Sequence, residues 1–218
     1  MPQQFDLIVF DWDGTLMDSA GAIASSIQAA CGDLGLTVPT EHAARHIIGL
    51  GLNEAIAHLL PNFAVAEYPK LVDRYRYHFL RQDADIPLFD GAERMVRGLN
   101  KSGFLLGVAT GKGRAGLDRV LEQTSLGGYF HATRCADECF SKPHPEMLLQ
   151  LMEELGSTPQ RTLMIGDTSH DLQMAQNAGV AALAVSYGAH PRADLLPHAP
   201  LACLEHIEDL KQWLRVNA

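Results

Sequence analysis

No apolar run in this chain approaches the ~18–20 residues that a membrane span requires. Its four cysteines, at 31, 135, 139 and 203, lack the density and spacing of a disulfide scaffold, which fits a reducing cytoplasm. Cations are scarce as well. Seventeen Lys and Arg face 26 Asp and Glu, a formal net charge of −9. That balance argues against a nucleic-acid-binding surface or an anionic-membrane partner. It also requires that any anionic substrate be held by a few local cations. The opening MPQQFDLIVF has neither a basic n-region nor a long apolar h-region, so no signal peptide is expected. There is no internal repeat and no low-complexity tract, and nothing in the sequence fixes an oligomeric state.

What remains is 218 residues, 47% of them hydrophobic, enough to build a core in one large domain or two small ones. Two textures divide them. Ile23, Ile27, Ala30, Cys31 and Leu34 recur at helical spacing and stop near Gly35. A second helix is expected from Asn53 as N-cap to Pro61, and a third within Ala64–Gln82. No strand-like run falls between Leu16 and Asp85. From residue 86 onward helices alternate with short apolar strands: Phe104–Thr110, Phe130–Cys135, Thr162–Ile165 and Val180–Val185, with a last helix over His206–Arg215. That alternation calls for a parallel sheet with helices on both faces. The Pro- and His-containing segment His190–Pro200 reads as a surface loop.

The chemistry concentrates at strand ends. Residues 5–19 read FDLIVFDWDGTLMDS, an apolar strand Leu7–Phe10 that breaks into Asp11, Trp12, Asp13, Gly14 and Thr15. The string D-x-D-G-T-L-x-D-S fixes seven identities, a chance match of about 10⁻⁹ per start position at ordinary composition. A second strand delivers Thr110, Gly111 and Lys112. Ser141-Lys142-Pro143 precedes a helix, and the strand ending at Ile165 delivers Gly166-Asp167-Thr168, with Asp171 four residues beyond Asp167. Ligands of open parallel sheets bind outside the carboxyl ends of the strands, where these residues would meet.

In this order the four segments resemble the four motifs of the haloacid dehalogenase (HAD) superfamily. The phrases GTLMDS, PLFDGA, SKPHPEML and GDTSHDLQMAQNAG look most like its phosphoglycolate phosphatase-like group. The resemblance implies a doubly wound, Rossmann-like α/β core over 1–15 and 86–218, with an all-helical cap over 16–85. It further implies a Mg2+-dependent phosphatase that works through an aspartyl-phosphate on a small phosphorylated metabolite, phosphoglycolate-like or a sugar phosphate. Asp11 would be the nucleophile, and Asp13 the acid and base. Asp11, Asp167 and the carbonyl of Asp13 would ligate the metal, a hard ion that favours oxygen. Thr110 and the Gly111 amide would hold phosphoryl oxygens, and Lys142 would offset transition-state charge. Asp171 would orient Lys142 or the metal shell. Trp12 would serve through its backbone amide while its ring packs under the loop. Arg45, in the segment Arg45–Gly51 where that group places a specificity loop, would either grip a substrate carboxylate or second phosphate or lie on the helix surface.

Bland readings stand beside these. An isolated strand-end aspartate is usually a cap or turn former, and an isolated lysine usually a surface residue. The agreement of four motifs in order favours the functional reading of Asp11, Asp13 and Asp167. Asp13 argues against carbon–halogen cleavage, because true dehalogenases lack an aspartate there. A sugar phosphomutase shares Asp11 and Asp13 and stays open, as does, less favourably, a non-catalytic binding protein on the same scaffold. His131, Cys135 and Cys139 lack an evident fourth zinc ligand and read as parts of a short strand. His42, His46, His170, His190 and His198 read as surface residues.

Overall fold

The computed structural model describes residues 4–218. Strand β1 (Leu7–Phe10) is followed by four helices: α1 (Ala20–Asp33), α2 (Glu41–His46), α3 (Leu52–Leu59) and α4 (Tyr68–Leu80). Then α5 (Ala92–Lys101), β2 (Leu105–Thr110), α6 (Arg114–Thr124), β3 (Ala132–Cys135), α7 (Glu146–Leu155) and β4 (Thr162–Gly166) alternate. The chain closes with α8 (Ser169–Ala178), β5 (Ala181–Val185), α9 (Arg192–Leu195), β6 (Cys203–Leu204) and α10 (Ile207–Asn217). All strand pairs are parallel, in the order β3-β2-β1-β4-β5-β6. The order reverses direction at β1, so the crevice for a ligand lies where β1 and β4 end side by side.

Strand β1 is buried on both faces, which is why it reads as a continuous apolar run rather than an alternation. Ile8 and Phe10 join Val96, Leu106, Val108 and Leu210 in the core beneath one face of the sheet. Leu7 and Val9 join Met147, Leu151, Met164 and Met174 beneath the other. Each such side chain contributes ~1.5–3 kcal/mol on leaving water. Two ladders set the register, Phe10 lying opposite Val108 of β2 and Ile165 of β4. The residues that follow Phe10 and Ile165 therefore emerge together.

The four helices between β1 and α5 bury an apolar cluster of their own, with Ile23, Ile27, Ile47, Ile56, Leu71 and Phe79, into which Ala189 reaches from beside β5. Among the described residues no helix is long and apolar enough to cross a membrane.

Local expectations differ from the structure at four places. Helix α3 starts at Leu52 after the extended Gly51, so Asn53 sits inside the first turn and is not the N-cap. Helix α2 went unread, although Thr40 caps it by accepting the Ala43 N–H through Oγ1 at 3.2 Å. The short edge strand β6 also went unread. Within the expected loop His190–Pro200, α9 and the 3₁₀ turn Leu196–His198 form because Leu195 is buried against Leu172 and Ala184.

Candidate active site

The backbone N–H of Asp11 donates to the Ile165 carbonyl at 2.9 Å, extending the β1–β4 ladder one residue past the strand. The chain then turns back on itself. Leu16 and Met17 N–H groups donate to the Trp12 carbonyl, and Gly14 N–H to the Met17 carbonyl. The Trp12 ring is fully buried below this turn, its Nε1–H against Met17 Sδ at 3.4 Å and its edge toward Phe130. Gly14 takes a φ of +79° and lies so close to Asp167 that a Cβ there would overlap the carboxylate. Glycine meets both demands at once.

Three carboxylates converge at the switch point. Oxygen atoms of Asp11, Asp167 and Asp171 lie within 4.8 Å of one another, and all three residues are fully buried. Asp167 is held by Thr15 Oγ1 on Oδ1 (2.8 Å) and by the Ala189 N–H on Oδ2 (2.7 Å). Asp171 divides its two oxygens. Oδ2 accepts from the Thr168 N–H and Oγ1–H at 3.1 and 2.7 Å, closing a capping box on α8, while Oδ1 accepts from Lys142 Nζ at 2.6 Å. Lys142, also buried, lies 2.9 Å from Asp11 Oδ1 as an ion pair. Apart from that ammonium on Oδ1, no donor reaches the Asp11 carboxylate.

The electrostatics follow from that burial. Desolvation pushes the Asp11 carboxyl up to about 7; Lys142 opposes the shift, and the charges of Asp171 and Asp13 add to it. Asp167 rises well above the carboxylate range through burial and then the charges of Asp11 and Asp171. Burial pulls Lys142 down, but Asp11 and Asp171 together outweigh it, and its ammonium is held above the ordinary lysine range. Three carboxylates against one ammonium leave a formal charge of two minus in a dry site. The unpartnered Oδ2 of Asp11 and an all-oxygen donor set fit a hard divalent cation such as Mg2+.

The remaining residues singled out in the sequence fall into two groups. Thr110 is buried at the end of β2 and accepts the Lys112 N–H on Oγ1 at 3.2 Å. Gly111 lies under the loop between α2 and α3, where a Cβ would overlap the carbonyl groups of Gly49 and Leu50. Asp13 is buried at the same mouth but is not one of the three converging carboxylates: its Oδ1 accepts Ser19 Oγ–H at 2.6 Å and Lys112 Nζ at 2.8 Å. Arg45 is not joined to this group. It sits on α2 in an i,i+4 ion pair with Glu41 at 2.9 Å, one guanidinium nitrogen near Gly21.

Contacts unread in the sequence tie the helical segment down over this mouth. Gly51 N–H donates to Ser141 Oγ at 2.7 Å, beside Lys142. The His46 carbonyl accepts Nε2–H from both His170 (2.8 Å) and His190 (3.1 Å). The His46 and His190 rings stack at 4.7 Å. His190 is buried, and His46 and His170 are partly so, which corrects their reading as surface residues. His190 Nδ1 accepts the Ser169 N–H at 3.1 Å, which leaves Nε2 as the protonated nitrogen. Burial, then neighbouring His170, pushes the His190 imidazole down to about 4. None of these contacts carries a local sequence signal, unlike the Thr168-x-x-Asp171 capping box on α8.

The sequence model of the family described as Haloacid dehalogenase-like hydrolase matches residues 8–185. A protein of Dickeya dadantii named "Probable phosphatase IndB" is 34% identical over 213 residues, covering 94% of this chain and 91% of that one. The phosphoglycolate phosphatase of Agrobacterium fabrum is 30% identical over 188 residues, covering 84% of this chain and 81% of that one. Among solved structures, a hydrolase from Pseudomonas syringae superimposes with a TM-score of 0.90 at 21% identity, 99% of each chain being covered. The strand order, the switch-point carboxylates and the sequence match agree, and the chain belongs to the haloacid dehalogenase-like hydrolases.

Proposed function

We propose that the protein is a Mg2+-dependent phosphatase that cleaves a small phosphomonoester, phosphoglycolate-like or a sugar phosphate, through an aspartyl-phosphate on Asp11. The observation that carries this reading is the state of Asp11. Its carboxylate is fully buried at the end of the central strand beside Asp167, with the Lys142 ammonium against Oδ1 and no hydrogen-bond donor on Oδ2. A carboxylate kept only for structure would be capped by donors, as those of Asp167 and Asp171 are.

In this reading Asp11, Asp167 and the Asp13 carbonyl hold Mg2+. The ion, when bound, supplies charge neutralisation between an anionic nucleophile and an anionic substrate. An Asp11 carboxylate oxygen attacks phosphorus, and the bond from phosphorus to the leaving oxygen breaks as Asp13 gives that oxygen its proton. Asp13, now ionised, takes a proton from water. The water oxygen attacks phosphorus, the bond to Asp11 breaks, and inorganic phosphate leaves. Thr110 and the Gly111 amide hold phosphoryl oxygens, and Lys142, fixed by Asp171, stabilises their transition-state charge. Residues 16–85 form a cap whose loop at Gly49–Gly51 closes the mouth through Ser141 and excludes water. Substrate reaches the buried carboxylates only when that cap lifts, so the leaving portion is small and is read by cap residues, Arg45 among the candidates. The four cysteines are all free, which suits the reducing cytoplasm we assign to it.

The test is phosphate release from a set of small phosphomonoesters with and without Mg2+, together with isolation of a hydroxylamine-labile phosphoenzyme. Magnesium-dependent turnover that Asp11→Asn abolishes, with the fold intact, is the expected result. Near wild-type turnover by Asp11→Asn would end the nucleophile assignment.

A further inference from the structure

We propose that Lys112 is a positioning residue for Asp13, and that its seat beneath the helical segment makes this positioning depend on closure. The inference rests on the phosphatase reading above and assigns a role to a side chain that reading leaves unused.

Lys112 follows Thr110 by two residues, and its backbone N–H donates to Thr110 Oγ1. Its side chain crosses the mouth to place Nζ 2.8 Å from Asp13 Oδ1, the same oxygen that Ser19 Oγ–H reaches at 2.6 Å. Two donors on one oxygen fix the carboxyl plane, and they leave Oδ2 as the atom available to a leaving oxygen or a water. The Lys112 side chain is only 10% exposed. Its cover is the ring of Phe79 on α4, whose centroid lies 4.9 Å away. Phe79 belongs to the apolar cluster of the helical segment, not to the sheet core. Lys112 thus contacts the acid–base carboxyl, the phosphate-side threonine and the cap together. When the cap lifts, the ammonium loses its aromatic cover and regains water, and its grip on Asp13 weakens. Asp13 is then set for proton transfer only over a closed site.

A structural lysine and a positioning lysine differ in which bond cleavage they help. An alkyl phosphate needs its leaving oxygen protonated, whereas 4-nitrophenyl phosphate has a leaving group stable without a proton. The measured quantity is kcat/KM, which reports phosphoryl transfer to the enzyme and not the later hydrolysis. For Lys112→Met we expect kcat/KM on an alkyl phosphate to fall by about tenfold or more, a share of the ~10²–10⁴ that a positioned acid supplies. The fall on 4-nitrophenyl phosphate should be several-fold smaller, and Lys112→Arg should recover most of the alkyl activity. Phe79→Leu should repeat the same preference at lower amplitude. Equal losses on both esters would overturn the assignment and make Lys112 a folding or phosphate-binding residue. A Phe79→Leu enzyme matching wild type on both would overturn the tie to closure. Wild-type protein that turns over neither ester would count against the phosphatase reading instead. A crystal structure of Lys112→Met then decides the present proposal alone: Asp13 displaced from Ser19 supports it, and Asp13 unmoved overturns it.

Discussion

Withdrawing magnesium should make this protein less stable as pH rises from about 4 to about 7, against the usual trend for an acidic protein. Burial raises the Asp11 carboxyl from 3.8 to about 7 when no cation is bound. Between those two values the folded chain holds a proton that the unfolded chain has released. Stability is therefore fully present below the unfolded pKa and is lost as pH climbs to the folded one. A shift of about three units corresponds to about 4 kcal/mol at ~1.36 kcal/mol per unit. Asp167 is shifted in the same direction by burial and by the charge of Asp11, so the two carboxyls act together. Lys142 does not cancel the effect, since it keeps its charge throughout this range.

Magnesium should replace the proton. Its binding strengthens as Asp11 ionises, so the stabilisation it gives grows with pH. The measurement is urea unfolding of wild type and Asp11→Asn at pH 5.5 and pH 8, each with EDTA and with excess Mg2+. In EDTA the difference between the two proteins should swing by about 2 kcal/mol toward the asparagine variant between pH 5.5 and pH 8, the part of the shift that lies above pH 5.5. Added Mg2+ should erase most of that swing for wild type and stabilise Asp11→Asn far less. A wild type whose metal-free stability, relative to Asp11→Asn, is flat or rises over this interval would refute the reasoning.

Three further outcomes are expected. Gly111→Ala introduces a Cβ into the carbonyls of Gly49 and Leu50, so the loop must withdraw, and kcat/KM should fall by about one to two orders of magnitude in steady-state assays. Asp171→Ala leaves Lys142 with Asp11 as its one ion-pair partner and removes the N3 half of the α8 capping box, the Thr168 N-cap remaining. It should cost about 3–5 kcal/mol in denaturant unfolding, and Asp171→Asn distinctly less because the amide oxygen can still cap. Arg45→Ala should weaken kcat/KM for the best acidic substrate by about 1–3 kcal/mol if its guanidinium leaves Glu41 for the ligand, and barely affect a small neutral ester.

What the sequence made legible is the part whose physics is local. Asp11 follows Phe10, and Asp167 follows Gly166, because a buried parallel strand must end in polar residues, and the apolar runs that mark the strands are contiguous. The parallel sheet with helices on both faces follows from the alternation of helices and strands, whereas the strand order is seen only in the structure. Histidine 190 was misread for the opposite reason. It sits in a short Pro-flanked segment of ordinary loop composition, yet its ring is buried by His46, 144 residues away in sequence. Lys112 and Asp13 are 99 residues apart, and they meet because β1 and β2 pair and end side by side, with Phe79 of the helical segment over the ammonium. No periodicity in either neighbourhood encodes that meeting.

Asp171 joins the two kinds of information. A helix cap and a support for Lys142 are not exclusive roles, because a carboxylate has two oxygens and Asp171 uses one for each. The capping box fixes the side chain by rules internal to α8. The other oxygen, Oδ1, then holds an ammonium 29 residues earlier in the chain, which in turn faces Asp11. A local helix signal thereby sets the position of a long-range charge. The lysine needs no rigid loop of its own, because the helix terminus supplies the rigidity and the second oxygen transmits it.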